Sequence, residues 1–95
     1  MTTAQFGLVA KALADPRRMA MLEAIASREE CPCERLRREF PLSKGTISHH
    51  LKELVRAGLI DARREGQYLH CEVRREVLNA YTAELKRRVS LDPSL

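Results

Sequence analysis

The sequence has few aromatic residues and no long apolar run. It contains no tryptophan, two phenylalanines and two tyrosines, so aliphatic side chains must fill most of the interior. A membrane-spanning helix needs about 18 or more consecutive apolar residues, and no stretch approaches that length. The N-terminus also lacks the charged region and long apolar run of a secretory signal peptide. We therefore expect a cytoplasmic protein that does not enter a membrane.

Cysteine is scarce, and the three cysteines are an odd number. An odd number argues against a disulfide framework, so in a reducing cytoplasm we expect free thiols or metal ligands. The sequence also lacks a Ser-His-Asp set, a glycine-rich phosphate loop and a catalytic pair of carboxylates. The prediction is a protein that is not an enzyme and requires no cofactor.

Length and charge favour a small domain with a polyanionic partner. With 95 residues, the prediction is a single domain over residues 1–95, whose modest core a second subunit can extend. Lysine and arginine number 17 against 13 aspartates and glutamates. This balance is compatible with nucleic acid binding, although many basic proteins bind no nucleic acid.

Residues 41–58, PLSKGTISHHLKELVRAG, have the pattern of an amphipathic helix. Ser43 can cap a helix that begins at Lys44, and Gly58 can end it in a left-handed turn. Apolar residues at helical spacing form one stripe, which consists of Ile47, Leu51, Leu54 and Val55. The rest of the surface is rich in donors and positive charge, and the residues predicted to face DNA are Lys44, Gly45, Thr46, Ser48, His49 and Lys52. Such a helix suits the major groove, although an ordinary solvated helix has a similar pattern.

Two helices are predicted at the start of the chain. The first spans about residues 4–14, and its apolar stripe consists of Phe6, Val9, Ala10 and Leu13. Asp15 is the predicted cap of the second helix, with Pro16 at its first position. That helix runs to about residue 27. It is expected to bury Met19, Leu22 and Ala26, with Met21 and Ile25 partly covered.

A third, short helix is predicted directly before the amphipathic helix. Pro32 fits its first position, with Cys31 near the cap, and Leu36 and Phe40 supply inward contacts. A short helix, a tight turn and a second amphipathic helix together form a helix-turn-helix pattern.

Beyond Gly58 the hydrophobic period changes to that of strands. LIDARREGQYLHCEV predicts two strands around a turn at Glu65 and Gly66. On the second strand Leu69, Cys71 and Val73 share one face, and Tyr68, His70 and Glu72 share the other. A hairpin after a DNA-reading helix is a wing. Arg63 and Arg64 are placed there to meet phosphates or the minor groove.

A last helix is predicted at about residues 74–89, and its apolar stripe has no partner that must come from the same chain. Together with the first helix it forms a candidate dimer interface, which consists of Phe6, Val9, Leu13, Val77, Leu78, Tyr81 and Leu85. The predicted fold is therefore mainly α with a small β-hairpin. It is a winged helix-turn-helix of about five helices and a two-stranded wing.

The segments ALADPRRMAMLEAI, CPCERL, SKGTISHHLKELVRAGLI and REGQYLHCEV resemble the ArsR/SmtB family of winged-helix repressors. The resemblance covers residues 6–89, and the SxxxISHHLxxLxxAGLI core and the Glu65-Gly66 wing are its most specific parts. It implies a homodimer that represses from an inverted-repeat operator until an inducer, often a metal or metalloid, lowers its DNA affinity. It also implies that the helix from Lys44 enters the major groove while residues 63–68 flank it, with Gln67 and Tyr68 as further contacts.

The resemblance implies a candidate sensor at Cys31 and Cys33. Their CPC spacing is similar to the start of the metalloid site in arsenic-responsive members, whose third cysteine is replaced here by Leu36. Residues 74–89 contain neither Asp nor His, so the zinc-type site of the family is absent. Two thiols can still take part in a site for a thiophilic metal or metalloid.

The expected ionisation and reactivity of Cys31 and Cys33 leave their role open. A helix N-terminus and nearby arginines favour the thiolate, whereas Glu29, Glu30 and Glu34 oppose it. A reactive thiolate can be metallated, oxidised or joined to another cysteine, and the two thiols can equally be structural residues at a helix start. Cys71 is interpreted as a buried apolar residue.

The three histidines differ in their predicted roles. His49 points outward and can donate to a base edge or a phosphate. His50 lies at the edge of the apolar stripe and is interpreted as a structural hydrogen bonder, and His70 has no assigned role. Two alternatives to a thiol-regulated repressor remain: a winged-helix module that docks protein, and a repressor whose cysteines are not the sensor.

Overall fold

The computed structural model describes residues 1–28 and 31–91, which form five helices and a three-stranded antiparallel sheet. Glu29, Glu30 and residues 92–95 lie outside the described residues. The helices are α1 (Thr3–Leu13), α2 (Pro16–Ala26), α3 (Cys33–Glu39), α4 (Lys44–Arg56) and α5 (Arg75–Arg88). The strands are β1 (Cys31–Pro32), β2 (Ile60–Glu65) and β3 (Tyr68–Val73). The predicted fold class, a winged helix-turn-helix, is confirmed.

The starts of α2 and α4 lie where the sequence predicts them because their caps are local. Asp15 accepts hydrogen bonds from the backbone amides of Arg17 and Arg18 at 2.8 and 3.2 Å, and Pro16 follows it. Ser43 accepts one from the amide of Thr46 at 3.1 Å. Gly58 follows α4 with φ of +81°, the left-handed conformation expected of a residue that ends a helix.

The buried face of α2 differs from the predicted one. Met19, predicted to be buried, is 37% exposed, and Ala26 is only partly buried. Met21 and Ile25, predicted to be partly covered, are fully buried together with Leu22. Both candidate faces have helical spacing, and the position of α2 against β3, α1 and α4 selects between them.

The apolar face of α4 is narrower than predicted. Ile47, Leu51 and Leu54 are buried as expected, but Val55 is 42% exposed. At 100° per residue, Val55 lies about 80° around the helix from Ile47, at the edge of the buried stripe. It faces a shallow groove beside the wing instead of the core.

The sheet contains a strand that the sequence does not predict. Its order is β1-β3-β2, and the two-residue strand β1 pairs Cys31 with Cys71 and Pro32 with His70. Cys31 is therefore a strand residue instead of a helix cap, and Pro32 is the N-cap of α3 instead of its first residue. A pairing of two residues with a strand some forty positions away leaves no local pattern to detect.

Helices α2 and α3 contact β3 and helix α4 contacts β2, and their buried side chains belong to one aliphatic core. The fully buried side chains at its centre include Val9, Met21, Ile25, Leu36, Ile47, Leu54, Leu59 and Ile60. On β3 Cys71 and Val73 are buried and Leu69 is half-buried, as the alternating pattern predicts. Within the described ranges, no helix combines the length and apolar character that a membrane span requires.

Candidate nucleic-acid interface

The exposed side of α4 is fixed by the way its buried side packs. Ile47, Leu51 and Leu54 hold the helix on the core, so Lys44, Gly45, His49 and Lys52 are exposed on the other side. Thr46 and Ser48 are half-buried. The hydroxyl of Thr46 lies 2.8 Å from that of Ser43, so it belongs to the helix cap as well as to the outer surface.

A cleft of about 520 Å³ separates the start of α4 from the wing, and we call it the helix–wing cleft. It is lined by Pro32, Cys33, Glu34, Arg37, Lys44, Ser48, Arg64, Gln67, Tyr68 and Leu69. Five of these ten residues are among the predicted DNA contacts, namely Lys44, Ser48, Arg64, Gln67 and Tyr68. The fold thus places side chains from α4 and the wing on either side of one basic cleft.

A second groove of about 400 Å³ continues along α4. Lys52 and Arg56 line it from the helix, and Arg64 lines it from the wing. Gly45, Thr46, His49 and Arg63 line neither of these two depressions. The predicted DNA contacts therefore form two groups. One group lines the helix–wing cleft or the second groove, and the other lies elsewhere on the surface.

The two wing arginines occupy different faces of β2. Arg64 lies opposite Leu69 in the sheet and faces α4, because both residues line the same groove. Arg63 lies opposite His70, and its guanidinium Nε and Nη2 are each 3.0 Å from Glu65 Oε1. Glu65 offsets part of the charge of Arg63, so the sequence interpretation that treats the two arginines alike is too coarse.

Arg37 is a candidate contact that the sequence analysis misses. Its side chain lines the helix–wing cleft beside Lys44 and Arg64, although it belongs to α3. Arg37 is one of three arginines in a run of four residues, RLRR, and the sequence alone does not show which of them faces the cleft. Arg35 and Arg38 instead lie near Glu39 and Glu34 on their own helix.

His50 is more deeply buried than predicted. It is 7% exposed, and no hydrogen-bond partner of its Nδ1 atom is found in the described part of the chain. Burial is the main cause that lowers the pKa of His50 below 6.5, and Asp15 opposes this effect. The predicted structural hydrogen bond of His50 is thus not seen at Nδ1. His50 is thus buried beneath the exposed surface of α4, and His49 is the exposed histidine.

The outer surfaces of α1 and α5 are joined by aromatic and charged contacts. The rings of Phe6 and Tyr81 stack with centroids 4.9 Å apart, and the guanidinium of Arg88 lies 4.3 Å from the Phe6 centroid. Arg88 also donates to the Thr3 hydroxyl at 3.0 Å. Leu85, Val89 and Leu91 remain 41%, 61% and 59% exposed.

Two residues of the predicted dimer interface belong to the core of the single chain. Val9 is 0% exposed and Val77 is 7% exposed, so they present almost no surface to a second subunit. The apolar stripes of α1 and α5 are wide. Their inner residues, Val9 and Val77, pack in the core of the chain, and their outer residues keep exposed surface. The predicted interface residues with surface left are Phe6, Leu13, Leu78, Tyr81 and Leu85.

Cys71 is buried as predicted, but it lies beside Cys31 and Cys33 instead of apart from them. Cys31 faces Cys71 across β1 and β3, and the Sγ atoms of Cys33 and Cys71 are 2.9 Å apart. Two thiolates on one tetrahedral metal with bonds of about 2.3 Å would be about 3.8 Å apart. No group of three His, Cys, Asp or Glu residues in the described segments is arranged to hold a metal ion. The contact between Cys33 and Cys71 is therefore closer than that of two thiolates bound to one metal ion.

The chain matches known regulators in sequence. A family model described as "Helix-turn-helix domain" matches residues 13–63. An arsenical resistance operon repressor from Staphylococcus xylosus is 32% identical over 79 residues, which is 83% of this chain and 75% of that protein.

Solved structures match over nearly the whole chain. The crystal structure of an ArsR family transcriptional regulator superposes with a TM-score of 0.84 at 26% identity, over 96% of this chain and 93% of that one. A homodimeric winged helix-turn-helix DNA-binding domain from Mycobacterium bovis, described as a possible ArsR-family regulator, gives a TM-score of 0.73 at 27% identity. That match covers 94% of this chain and 83% of the other.

Proposed function

We propose, because the chain belongs to the ArsR family of winged-helix regulators, that it is a homodimeric repressor of an inverted-repeat DNA operator. The single observation that carries this proposal is the helix–wing cleft, in which donors of α4 face donors of the wing across one basic depression. A protein of this kind acts in the cytoplasm and forms a single DNA-binding domain.

Helix α4 reads the major groove in this proposal. Lys44, Gly45 and His49 are exposed at its N-terminal part, which is the part that reaches base edges in helix-turn-helix proteins. The wing lies alongside, and Arg64 with Tyr68 contacts the sugar-phosphate backbone or the minor groove. Phosphate contacts fix the register of the protein, and base contacts select the sequence.

The outer surfaces of α1 and α5 form the two-fold interface in this proposal. They leave Leu85 exposed and Phe6 and Tyr81 half-buried, and the Mycobacterium bovis neighbour is itself homodimeric. Two-fold symmetry places the two copies of α4 about one helical turn of DNA apart, roughly 34 Å. An inverted repeat is the DNA sequence that matches this symmetry.

The release signal acts on thiols in this proposal, and oxidation is the form that the cysteine geometry supports. A relative is named for arsenical resistance, but the three cysteines here are not arranged as ligands of one ion. A buried pair of sulfur atoms in contact is instead suited to a two-electron oxidation.

A salt titration of DNA binding tests the proposed interface. The reduced protein should bind operator duplex with an affinity that falls steeply as salt rises, because each neutralised phosphate releases a counterion. Replacing Arg64 with Ala should flatten the logarithmic salt slope by about one unit. Arg63→Ala is the matched control and should flatten it less, because Glu65 offsets part of its charge.

Two results would count against this proposal. Reduced protein that binds no duplex at low salt would favour the alternative of a winged-helix module that docks protein. Equal salt slopes for wild type and Arg64→Ala would show that the wing is not part of the DNA interface.

A further inference from the structure

Cys33 and Cys71 form a close pair inside the fold, 38 positions apart in sequence. Cys33 is the first residue of α3, and Cys71 lies on the central strand of the sheet. Their Sγ atoms are 2.9 Å apart, and the residues are 5% and 0% exposed. The pair thus joins the helix that leads into α4 to the strand that carries the wing.

The environment makes the two thiols of this pair chemically different. The hydrogen bond from Cys71 is the main cause that lowers the pKa of Cys33, and Arg37 lowers it further. The same hydrogen bond and burial raise the pKa of Cys71. Burial also raises the pKa of Cys31. Cys33 is therefore the nucleophile, and Cys71 keeps its proton.

The approach to Cys33 that the described structure shows is through the helix–wing cleft. Cys33 lines the helix–wing cleft, whereas Cys31 and Cys71 line none of the depressions described above. Arg37, Lys44 and Arg64 surround this approach with positive charge. Bound DNA would cover the cleft, so the same surface admits a small oxidant and receives the nucleic acid.

We propose that Cys33 and Cys71 are a redox pair, which a small two-electron oxidant such as hydrogen peroxide converts to a disulfide that lowers DNA affinity. The Cys33 thiolate attacks the peroxide, the O–O bond breaks, and Cys33 sulfenic acid and hydroxide form. The Cys71 thiol then attacks the sulfenic sulfur and expels its oxygen as water. In total two thiols and one peroxide give one disulfide and two waters, and the peroxide accepts both electrons.

The disulfide would act on the cleft between α4 and the wing. The two sulfur atoms must approach from 2.9 Å to about 2.05 Å, and the torsion about the new bond must take one of two narrow values. This constraint moves the first turn of α3 relative to β3, and with it the walls that carry Lys44 and Arg64. The effect on DNA rests on the proposed function, whereas formation of the disulfide does not.

Peptide mapping on Cys31→Ser tests the pairing itself. Trypsin releases Cys33 within residues 29–35 and Cys71 within residues 65–74, so Cys31→Ser leaves one possible link between the two peptides. After peroxide treatment of the folded variant, the linked peptide should be the main oxidised product and should vanish on reduction. Failure to find it, in a sample whose thiols have been consumed, would overturn the proposal.

Operator binding tests the consequence. Peroxide should weaken binding by the wild type and by Cys31→Ser at least tenfold, and a reductant should restore it. Cys33→Ser and Cys71→Ser should bind as reduced protein does and lose the response. A disulfide that forms without a change in affinity would overturn the regulatory step. Reduced protein that binds no DNA would instead reject the proposed function, while the mapping still decides the pairing.

Discussion

His50 is an ionisable side chain buried next to the surface that carries the exposed residues of α4. Its low exposure favours the neutral imidazole, and Arg17 and Arg18 lie close enough to add to this preference. Asp15, the cap of α2, acts in the opposite direction. Protonation of His50 therefore places an unfavourable charge between α2 and α4.

A pH titration of stability tests the state of His50. Its folded pKa lies below the unfolded value of 6.5, so the unfolded chain binds more protons as the pH falls. The contribution of His50 to the free energy of unfolding should be complete above pH 6.5. Below that pH the free energy of unfolding should decrease, by at most about 1.4 kcal/mol per pH unit for one proton. Denaturant titrations between about pH 5 and 7.5 measure this dependence.

His50→Leu should make that dependence shallower, and His49→Gln is the matched control because His49 is exposed. The titration of Asp15 falls below this window, since its pKa is lowered from 3.8 mainly by a backbone hydrogen bond. Parallel profiles for wild type and His50→Leu would show that His50 is not the titrating group.

At the scale of elements, α4 contains a glycine where a better helix former would fit. A Cβ at Gly45 would meet no atom within 4 Å in the chain itself. Alanine favours a helix interior by up to about 1 kcal/mol over glycine, so the chain gains nothing in stability from Gly45. In the proposed function, the missing side chain instead leaves room for close approach of DNA to the first turn of α4.

Gly45→Ala should therefore separate stability from binding. Denaturant unfolding should show equal or higher stability, while the dissociation constant for operator DNA rises at least several-fold. Gly7→Ala in α1 is the matched control, because a Cβ there also meets nothing within 4 Å. It should leave operator affinity unchanged. A Gly45→Ala protein that binds like wild type would place the first turn of α4 away from the DNA.

Sequence reasoning succeeds for elements whose signals are local and fails where distant contacts decide. Asp15 and Ser43 cap helices through hydrogen bonds to amides two or three residues away, so their roles are visible in the sequence. The choice between Met19 and Met21 as the buried residue of α2 depends on other elements. Strand β1 and the contact between Cys33 and Cys71 depend on them entirely, which is why the sequence interpretation keeps Cys71 apart.

The whole molecule is longer than a compact chain of its size. Its principal extents are 46 × 23 × 22 Å, and its radius of gyration is 14.4 Å, against about 12 Å expected for 95 residues. Beyond Val77, α5 contributes no fully buried residue, and its last turns expose Leu85 and Val89. We expect a second copy to cover this apolar surface.

Leu85→Lys should weaken the dimer. Burying one leucine is worth about 1.5–3 kcal/mol, and a two-fold interface loses the contact twice. Sedimentation in reducing buffer should give twice the chain mass for wild type at micromolar concentration and mostly monomer for the variant. Asn79→Lys is the control, since Asn79 is exposed on another side of α5. A monomeric wild type would contradict both the proposed dimer interface and the proposed inverted-repeat operator.

The outer position of β2 has a consequence for solubility. Among the described strands, β2 pairs with β3 alone, so its other edge presents unpaired backbone groups to which a strand of another molecule can add. Four of its six residues are charged, and both signs occur along IDARRE. Such an edge resists the growth of intermolecular sheets. In the proposed dimer, the two wings can thus project toward DNA without seeding aggregates.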